Sequence, residues 1–307
     1  MATTHSTHSD LSALDRAPVW LNSEPLTAEE LRGRVVLVDI WTYSCVNWLR
    51  TLPYVRAWAE RYRDRGLAVV GVHCPEFGFE HDLDNVRHAT RELGVGYPVV
   101  IDNDFAIWQS LSNRFWPAVY LVDRDGRTRY RHFGEGNYEE TEQAIQQLLG
   151  IDDETVRVEA DGIAEAADWD GLRSGETYIG YGQGAGRVDS PAQLALNQWA
   201  LSGDWAIEEE SAVLNAAGGL VTFRFHARDL NLVLTPRASG APVRFTVRLD
   251  GQPPGDDHGL DINELGEGTV DEPRMYQLVR QRRGTAERDF EITFVDPGVR
   301  AYVFTFG

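Results

Sequence analysis

The 307-residue chain contains no lysine, and all 29 of its basic residues are arginine. Because aspartate and glutamate number 48, the formal net charge is −19 and the isoelectric point is about 4.8. Nucleic acids and anionic membrane surfaces are polyanions, so this charge disfavours both as partners. The sequence also lacks any run of about 18 apolar residues, and its polar start, MATTHSTHSD, lacks the charged and apolar regions of a secretory signal. We therefore expect a cytoplasmic chain that does not enter membranes.

Cysteine is scarce, with only Cys45 and Cys74 present. Two cysteines are too few for a disulfide framework but are enough for one reversible redox pair. His81, Asp84 and His88 fall on one predicted helix face, but no cysteine or third histidine completes a metal site there, which favours a solvated surface. We expect neither a metal nor an organic cofactor.

Periodicity divides the chain into four parts. We predict a disordered lead at 1–16, an α/β domain at 17–150, an acidic linker at 151–176 and an all-β domain at 177–307. In the α/β part, continuous apolar strands alternate with helices, which favours a parallel core, and a late hairpin adds an antiparallel edge. The last part has short alternating runs separated by turns, typical of a jelly roll or sandwich.

The first cysteine, Cys45, lies in WTYSCVNWLRTLPYV, between a predicted strand and a predicted helix. A thiol at a helix N-terminus is stabilised as the thiolate, so we expect its pKa to fall below the ordinary value of about 8.5. Ser44 is the predicted N-cap. The alternative is that Cys45 is a small buried residue without chemistry.

Four segments together resemble the redoxins of the TlpA/DipZ type over about residues 35–150: WTYSCVNWLRTLPYV, LAVVGVHCPEFGFEHDLDNV, FWPAVYLVD and HFGEGNYEETEQAIQQLL. The resemblance implies a thioredoxin-like fold and disulfide exchange. Later segments, ETYIGYG, LNQWALSGDW, FHARDLNLVL and GLDINELGEGTV, resemble the jelly-roll domain, similar to a carbohydrate-binding module, that follows the redoxin domain in DipZ-like proteins. The family's Cys-x-x-Cys motif has become Cys-x-x-Trp here, because Trp48 occupies the second position. Its usual resolving thiol is therefore absent.

Cys74 follows the apolar strand at 67–73, which we expect to neighbour the strand before Cys45. Both cysteines then emerge at the carboxyl edge of the sheet, where such folds place active sites. We hypothesise that Cys74 resolves an oxidised Cys45; the alternative is a packed loop residue. Pro117 opens a strand that we take as parallel, which would bring it beside Cys45. The expected pocket comprises Tyr43, Asn47, Trp48, His73, Glu76, Arg114, Trp116 and Pro117.

These observations predict a thiol-dependent oxidoreductase. Cys45 would attack a peroxide or a disulfide, and Cys74 or an external small thiol would complete the cycle. The alternative is a binding module without redox activity, whose all-β domain recognises a glycan or a protein. Trp199 and Trp205 are candidates for stacking on a sugar, with burial in the core as the competing interpretation.

Overall fold

The computed structural model describes residues 11–191, 193–237 and 240–307. The chain forms two compact units, the first ending at Ala164 and the second running from Glu165 to Gly307. The first ten residues of the predicted disordered lead lie outside the described residues. The structure differs from that prediction at residues 11–16, because Leu11 and Leu14 are buried in the hydrophobic core and residues 14–16 form a short 3₁₀ helix.

The first unit is a thioredoxin-like α/β domain, which confirms the predicted fold class. Its six-stranded mixed sheet has the order β1-β4-β3-β2-β5-β6. The strands are β1 (Trp20–Leu21), β2 (Val35–Trp41), β3 (Leu67–His73), β4 (Val99–Ile101), β5 (Ala118–Val122) and β6 (Thr128–Phe133). The helices are α1 (Val46–Tyr62), α2 (Leu83–Glu92), α3 (Ala106–Ser110) and α4 (Tyr138–Leu149).

Strands β2, β3 and β4 are parallel, but β5 is antiparallel to β2, contrary to the expected parallel strand. Ile40, near the end of β2, therefore pairs with Ala118, the first residue of β5. This antiparallel pairing brings Pro117 to the edge of the sheet where α1 begins. A parallel β5 would have placed Pro117 at the opposite edge, since parallel strands begin at the same side.

The two faces of the sheet carry different side chains because strand residues alternate. Asp39 and Trp41 of β2 face α1, where both contact Trp48. The residues at the alternate positions of β2, Val36, Val38 and Ile40, point into a separate core on the other face, together with Val70 and Val72 of β3. Cys74 belongs to this second core.

The predicted acidic linker is divided between the two units. In the first unit, the backbone N–H of Val156 donates to the Glu142 carboxylate, and Arg61 binds the carbonyl of Glu154. In the second unit, Glu165 pairs with Arg228 and Arg280. Each half of the segment is thus held by the unit to which it belongs.

The second unit is an antiparallel β-sandwich. One sheet has the order β15-β12-β17-β10-β9, with β7 paired to β17, and the other has the order β14-β13-β16-β11-β8. The strands are β7 (Thr177–Tyr178), β8 (Trp199–Ser202), β9 (Trp205–Ile207), β10 (Ala212–Leu214), β11 (Leu220–His226), β12 (Asp229–Thr235), β13 (Val243–Leu249), β14 (Glu267–Val270), β15 (Arg274–Arg280), β16 (Glu287–Phe294) and β17 (Arg300–Phe306). Side chains from both sheets fill one core.

Of the two tryptophans considered for sugar stacking, Trp199 belongs to that core and Trp205 is partly buried against it. Trp199 is 1% exposed, and Trp205 packs edge-on against Phe294. The competing interpretation is therefore correct for Trp199, whose ring has no free face to offer a sugar.

Candidate thiol site

Cys45 is the N-cap residue of α1, half-buried, with an extended backbone. Its carbonyl accepts the first helical hydrogen bond, from the N–H of Leu49 at 3.0 Å. The first turn of α1 carries no acidic residue. The dipole and the N–H groups of the helix start therefore act on the thiol, and no acidic side chain of the first turn opposes them.

The predicted N-cap residue, Ser44, has a different role. Its hydroxyl donates to the buried carboxylate of Glu80 at 2.6 Å, and the helix has no side-chain cap. Glu80 also accepts from the backbone N–H groups of Glu76 and Phe77. Burial nevertheless raises the pKa of Glu80, while these donors oppose the rise. Glu80 thus links the residue before Cys45 to the loop after β3.

Trp48, which replaces the second motif cysteine, is fully buried. Its indole N–H donates to Asp39 Oδ2 at 3.1 Å, and its ring stacks on Trp41 with centroids 4.2 Å apart. Tyr97 donates to the same Asp39 oxygen at 3.0 Å. Burial raises the pKa of Asp39 to about 6, against the lowering effect of the two donors. The tryptophan therefore occupies the space above a buried acid and does not line an open pocket.

Two further predicted pocket residues are also core residues. Tyr43 is 5% exposed, and His73 is fully buried. The His73 ring stacks on Tyr43 at 5.8 Å and meets Trp41 edge-on at 5.0 Å. Burial lowers the pKa of His73 to about 3, because the charged form would lose its hydration. His73 is therefore neutral at physiological pH.

Cys74 lies one residue beyond β3, as predicted, but its thiol is buried on the face of the sheet opposite α1. The thiol donates to Asp102 Oδ2 at 3.4 Å. Burial and the nearby Asp102 carboxylate raise the pKa of Cys74 well above its ordinary value. In the folded chain this thiol is protonated and inaccessible, so its position does not favour the hypothesis that it resolves Cys45.

The remaining predicted residues lie in α1, in the loop after β3 and in the segment before β5. Asn47 and Glu76 are half-buried, and Arg114 is exposed. Trp116 donates its indole N–H to the carbonyl of Cys74 at 3.0 Å. Pro117 is buried, and the Trp116–Pro117 peptide bond is cis.

An ion pair that sequence reasoning missed borders this region. Arg50, in the second turn of α1, contacts Glu135 at 2.9 Å, and the two side chains are only 3% and 7% exposed. The loop that carries Glu135 is fixed as well, since the N–H of Gly134 donates to the carbonyl of Pro117. The pair therefore connects α1 to the loop after β6.

No group of three or more histidine, cysteine or acidic side chains in the described parts of the chain has the arrangement of a metal site. Within the same residues, no helix has the length and apolarity needed to cross a membrane. The cytoplasmic location stays a prediction.

Comparison with known proteins gives one family match in each unit. Residues 17–149 match the family model described as Redoxin, and residues 174–307 match the model described as Thioredoxin like C-terminal domain. We call the part of the chain matched by the first model the redoxin domain and the part matched by the second the C-terminal domain. The latter is all-β in this structure, as the predicted fold class requires.

Relatives of the redoxin domain include thiol-disulfide oxidoreductases. Protein DipZ of Mycobacterium tuberculosis is 37% identical over 251 residues, which cover 76% of this chain and 35% of the relative. The chain thus spans about a third of that protein's length. Thiol-disulfide oxidoreductase YkuV of Bacillus subtilis is 29% identical over 131 residues, covering 42% of this chain and 87% of the relative. A solution structure of a thioredoxin-like protein in the oxidised form is 27% identical, with a TM-score of 0.42, over 48% of this chain and 98% of that one.

The redoxin domain holds several buried acids that sequence reasoning missed, namely Asp39, Glu80, Asp102 and Glu135. A signal existed for Asp39, because it is the only charged residue in the apolar run VVLVDIW of β2. An ionisable group inside a buried strand indicates either a paired structural residue or a functional one. The other three lie in loops or short turns, where an acidic residue is ordinary.

Proposed function

We propose that the redoxin domain is a thiol-disulfide oxidoreductase that uses Cys45 as its only reactive thiol. The position of Cys45 supports this proposal: it is half-buried at the start of α1, whereas Cys74 is enclosed on the opposite face. The similarity to YkuV, a protein named as a thiol-disulfide oxidoreductase, supports the same class of reaction.

The reaction begins when the Cys45 thiolate attacks a substrate disulfide. This attack forms a mixed disulfide and releases one substrate thiolate. Because Trp48 provides no thiol, a small thiol such as glutathione then attacks the Cys45 sulfur and releases the second substrate thiolate. A second glutathione removes the first as glutathione disulfide and restores Cys45. Two glutathione thiols thus supply the two electrons and the two protons.

Wild type and two variants test this mechanism. With glutathione and hydroxyethyl disulfide, we expect turnover by wild type and by Cys74→Ser, and none by Cys45→Ser. Intact-mass measurement of wild type after oxidised glutathione should show one glutathione on Cys45. A Cys45–Cys74 crosslink in peptide maps, with loss of turnover in a folded Cys74→Ser variant, would instead establish Cys74 as the resolving thiol.

Peroxide is the other substrate class that a thiolate at Cys45 could reduce. Attack on hydrogen peroxide would give a sulfenic acid and water, and glutathione would then reduce the sulfenic acid through the same mixed disulfide. Peroxide consumption measured beside disulfide turnover ranks the two substrates. The alternative is the binding module without redox activity. It would be favoured if Cys45 were alkylated no faster than an ordinary cysteine thiol and if neither substrate were turned over.

A second candidate function concerns the C-terminal domain. A cleft of about 700 Å³ lies against the sheet face turned away from the core, beside residues 193–196. Arg224 and three acidic residues line it, Glu287, Asp289 and Glu291. Such a set donates and accepts hydrogen bonds with a hydroxyl-rich ligand, which favours an oligosaccharide over an apolar molecule. Calorimetric titration with glucose and N-acetylglucosamine oligomers tests this, and Glu291→Ala should weaken any binding found.

A further inference from the structure

Two aromatic side chains of the redoxin domain lie exposed beside each other. Phe115 is 52% exposed and Phe133 is 37% exposed, with ring centroids 5.2 Å apart. Arg131 lies over the Phe133 ring at 5.9 Å, and the exposed Arg114 directly precedes Phe115. We call these four residues, Arg114, Phe115, Arg131 and Phe133, the docking patch.

The fold explains why the patch is uncovered. Strand β6 is at the edge of the sheet, and its residues alternate between half-buried and exposed. Phe133 and Arg131 belong to the exposed set, and the buried Tyr120 ring lies 6.0 Å from Phe133. Neighbouring exposed aromatic rings mark interaction surfaces, because covering them removes apolar area from water.

The patch lies at the same end of the sheet as Cys45. Phe133 pairs with Ala118, and Ala118 pairs with Ile40 near the end of β2. The next loop carries Glu135, which contacts Arg50 in α1. Phe133 faces away from α1, because its partner Ala118 belongs to the second core, so a polypeptide whose disulfide reaches Cys45 contacts the patch by crossing this end of the sheet.

The charge of the patch selects among such polypeptides. In the described chain, neither Arg114 nor Arg131 forms an ion pair, so both guanidinium groups remain available to a ligand. The chain as a whole has a net charge of −19. Against that background, two unpaired arginines beside two aromatic rings form a local site for an acidic and apolar segment.

We infer that the docking patch binds a substrate polypeptide through an acidic residue and an adjacent aromatic or aliphatic residue that flank its disulfide. Arg131 and Arg114 contact the carboxylate, and the Phe115 and Phe133 rings cover the apolar side chain. This inference rests on the proposed function, since it names the class of substrate that the Cys45 site receives.

Two peptide disulfides of equal length test the inference, one flanked by Glu-Leu and the other by Lys-Leu. Wild type should reduce the acidic peptide with the higher kcat/KM. Arg131→Glu should lower kcat/KM for the acidic peptide by about tenfold and raise it for the basic one. Phe115→Ser should lower kcat/KM for both peptides. Turnover of hydroxyethyl disulfide should stay unchanged in each variant, and Arg91→Glu, an equal charge change on α2, should resemble wild type.

A binding measurement separates this inference from the proposed reaction. The acidic peptide with both cysteines replaced by serine, labelled for fluorescence anisotropy, should bind wild type more tightly than Arg131→Glu. If hydroxyethyl disulfide is not reduced but this difference persists, the redox proposal fails and the docking patch stands. If hydroxyethyl disulfide is reduced but Arg131→Glu has the same kcat/KM as wild type for both peptides, the inference that the docking patch binds the substrate is wrong.

Discussion

The indole N–H of Trp48 donates a hydrogen bond to the buried carboxylate of Asp39, with 3.1 Å between the two heavy atoms. Tyr97 supplies a second donor to the same oxygen. The residue that replaces the second motif cysteine is thus integrated with the core: it satisfies a buried acid and stacks on Trp41. These contacts explain how a bulky side chain fits one helical turn after the reactive thiol.

Replacing Trp48 by phenylalanine tests the value of that hydrogen bond. Trp48→Phe keeps an aromatic ring against Trp41 but removes one of the two donors to Asp39. We expect a loss of about 2 kcal/mol in the free energy of unfolding at pH 8, the value typical of a hydrogen bond to a charged group. Trp108→Phe is the control, because the Trp108 indole donates no hydrogen bond within the described residues. Equal losses in urea unfolding would show that ring volume alone matters.

Asp39 should make stability depend on pH. Its pKa is raised from 3.8 to about 6, so the folded chain holds this proton more tightly than the unfolded chain. The free energy of unfolding should therefore fall by about 3 kcal/mol as the pH rises from about 4 to about 6, and it should stay constant at higher pH. Asp39→Asn should remove this fall, measured by urea unfolding at pH 5 and pH 7. Ser110→Ala, which removes no titratable group, should leave the pH dependence as in wild type.

The hydrogen bond between Ser44 and Glu80 should be worth more than an ordinary one. Ser44→Ala removes a donor from a buried carboxylate, and we expect a loss of about 2 kcal/mol at pH 8. Ser110→Ala, which removes a hydroxyl bonded to the carbonyl of Ile107, should cost about 1 kcal/mol. Because the pKa of Glu80 is raised, the Ser44→Ala loss should shrink at acidic pH, where the carboxyl is neutral. An unchanged loss at pH 4, below the ordinary pKa of glutamate, would contradict the charged bond.

The two thiols should differ sharply in reactivity. Iodoacetamide at pH 8 should modify Cys45 within minutes in the native chain and leave Cys74 unmodified, because burial keeps Cys74 protonated and enclosed. In urea both should react. Peptide mass mapping with and without urea makes the comparison, and Cys45→Ser should show no modification in the native state. Rapid native modification of Cys74 would contradict its burial.

The sequence predicts most of the first unit because its strands are continuous apolar runs. The strand predicted at 67–73 is β3 with the same bounds, and the strand and helix predicted on either side of Cys45 are β2 and α1. The direction of β5 could not be predicted in this way, because an apolar pentapeptide has the same pattern in either direction. The antiparallel pairing follows from long-range contacts that periodicity does not encode.

The site was harder to predict than the fold. The position of Cys74 after β3 was predictable, but its face was not. His73 pairs with Trp41 and faces α1. Cys74 is the next residue along the chain, so its side chain points to the opposite face. Which face α1 covers depends on how the chain crosses over the sheet, and no residue type at 74 reveals it. Likewise, tryptophan and tyrosine near a reactive cysteine suit a pocket wall and a core equally well.

The buried His73 ring has a spectroscopic consequence. It stacks on Tyr43 and meets Trp41 in a T-shaped contact, and both of these rings are sources of ring current. Its carbon-bound protons should therefore resonate away from the positions of the other histidines and should not move between pH 5 and pH 8. A histidine signal of that kind would report, in an unlabelled sample, whether the carboxyl end of β3 is assembled.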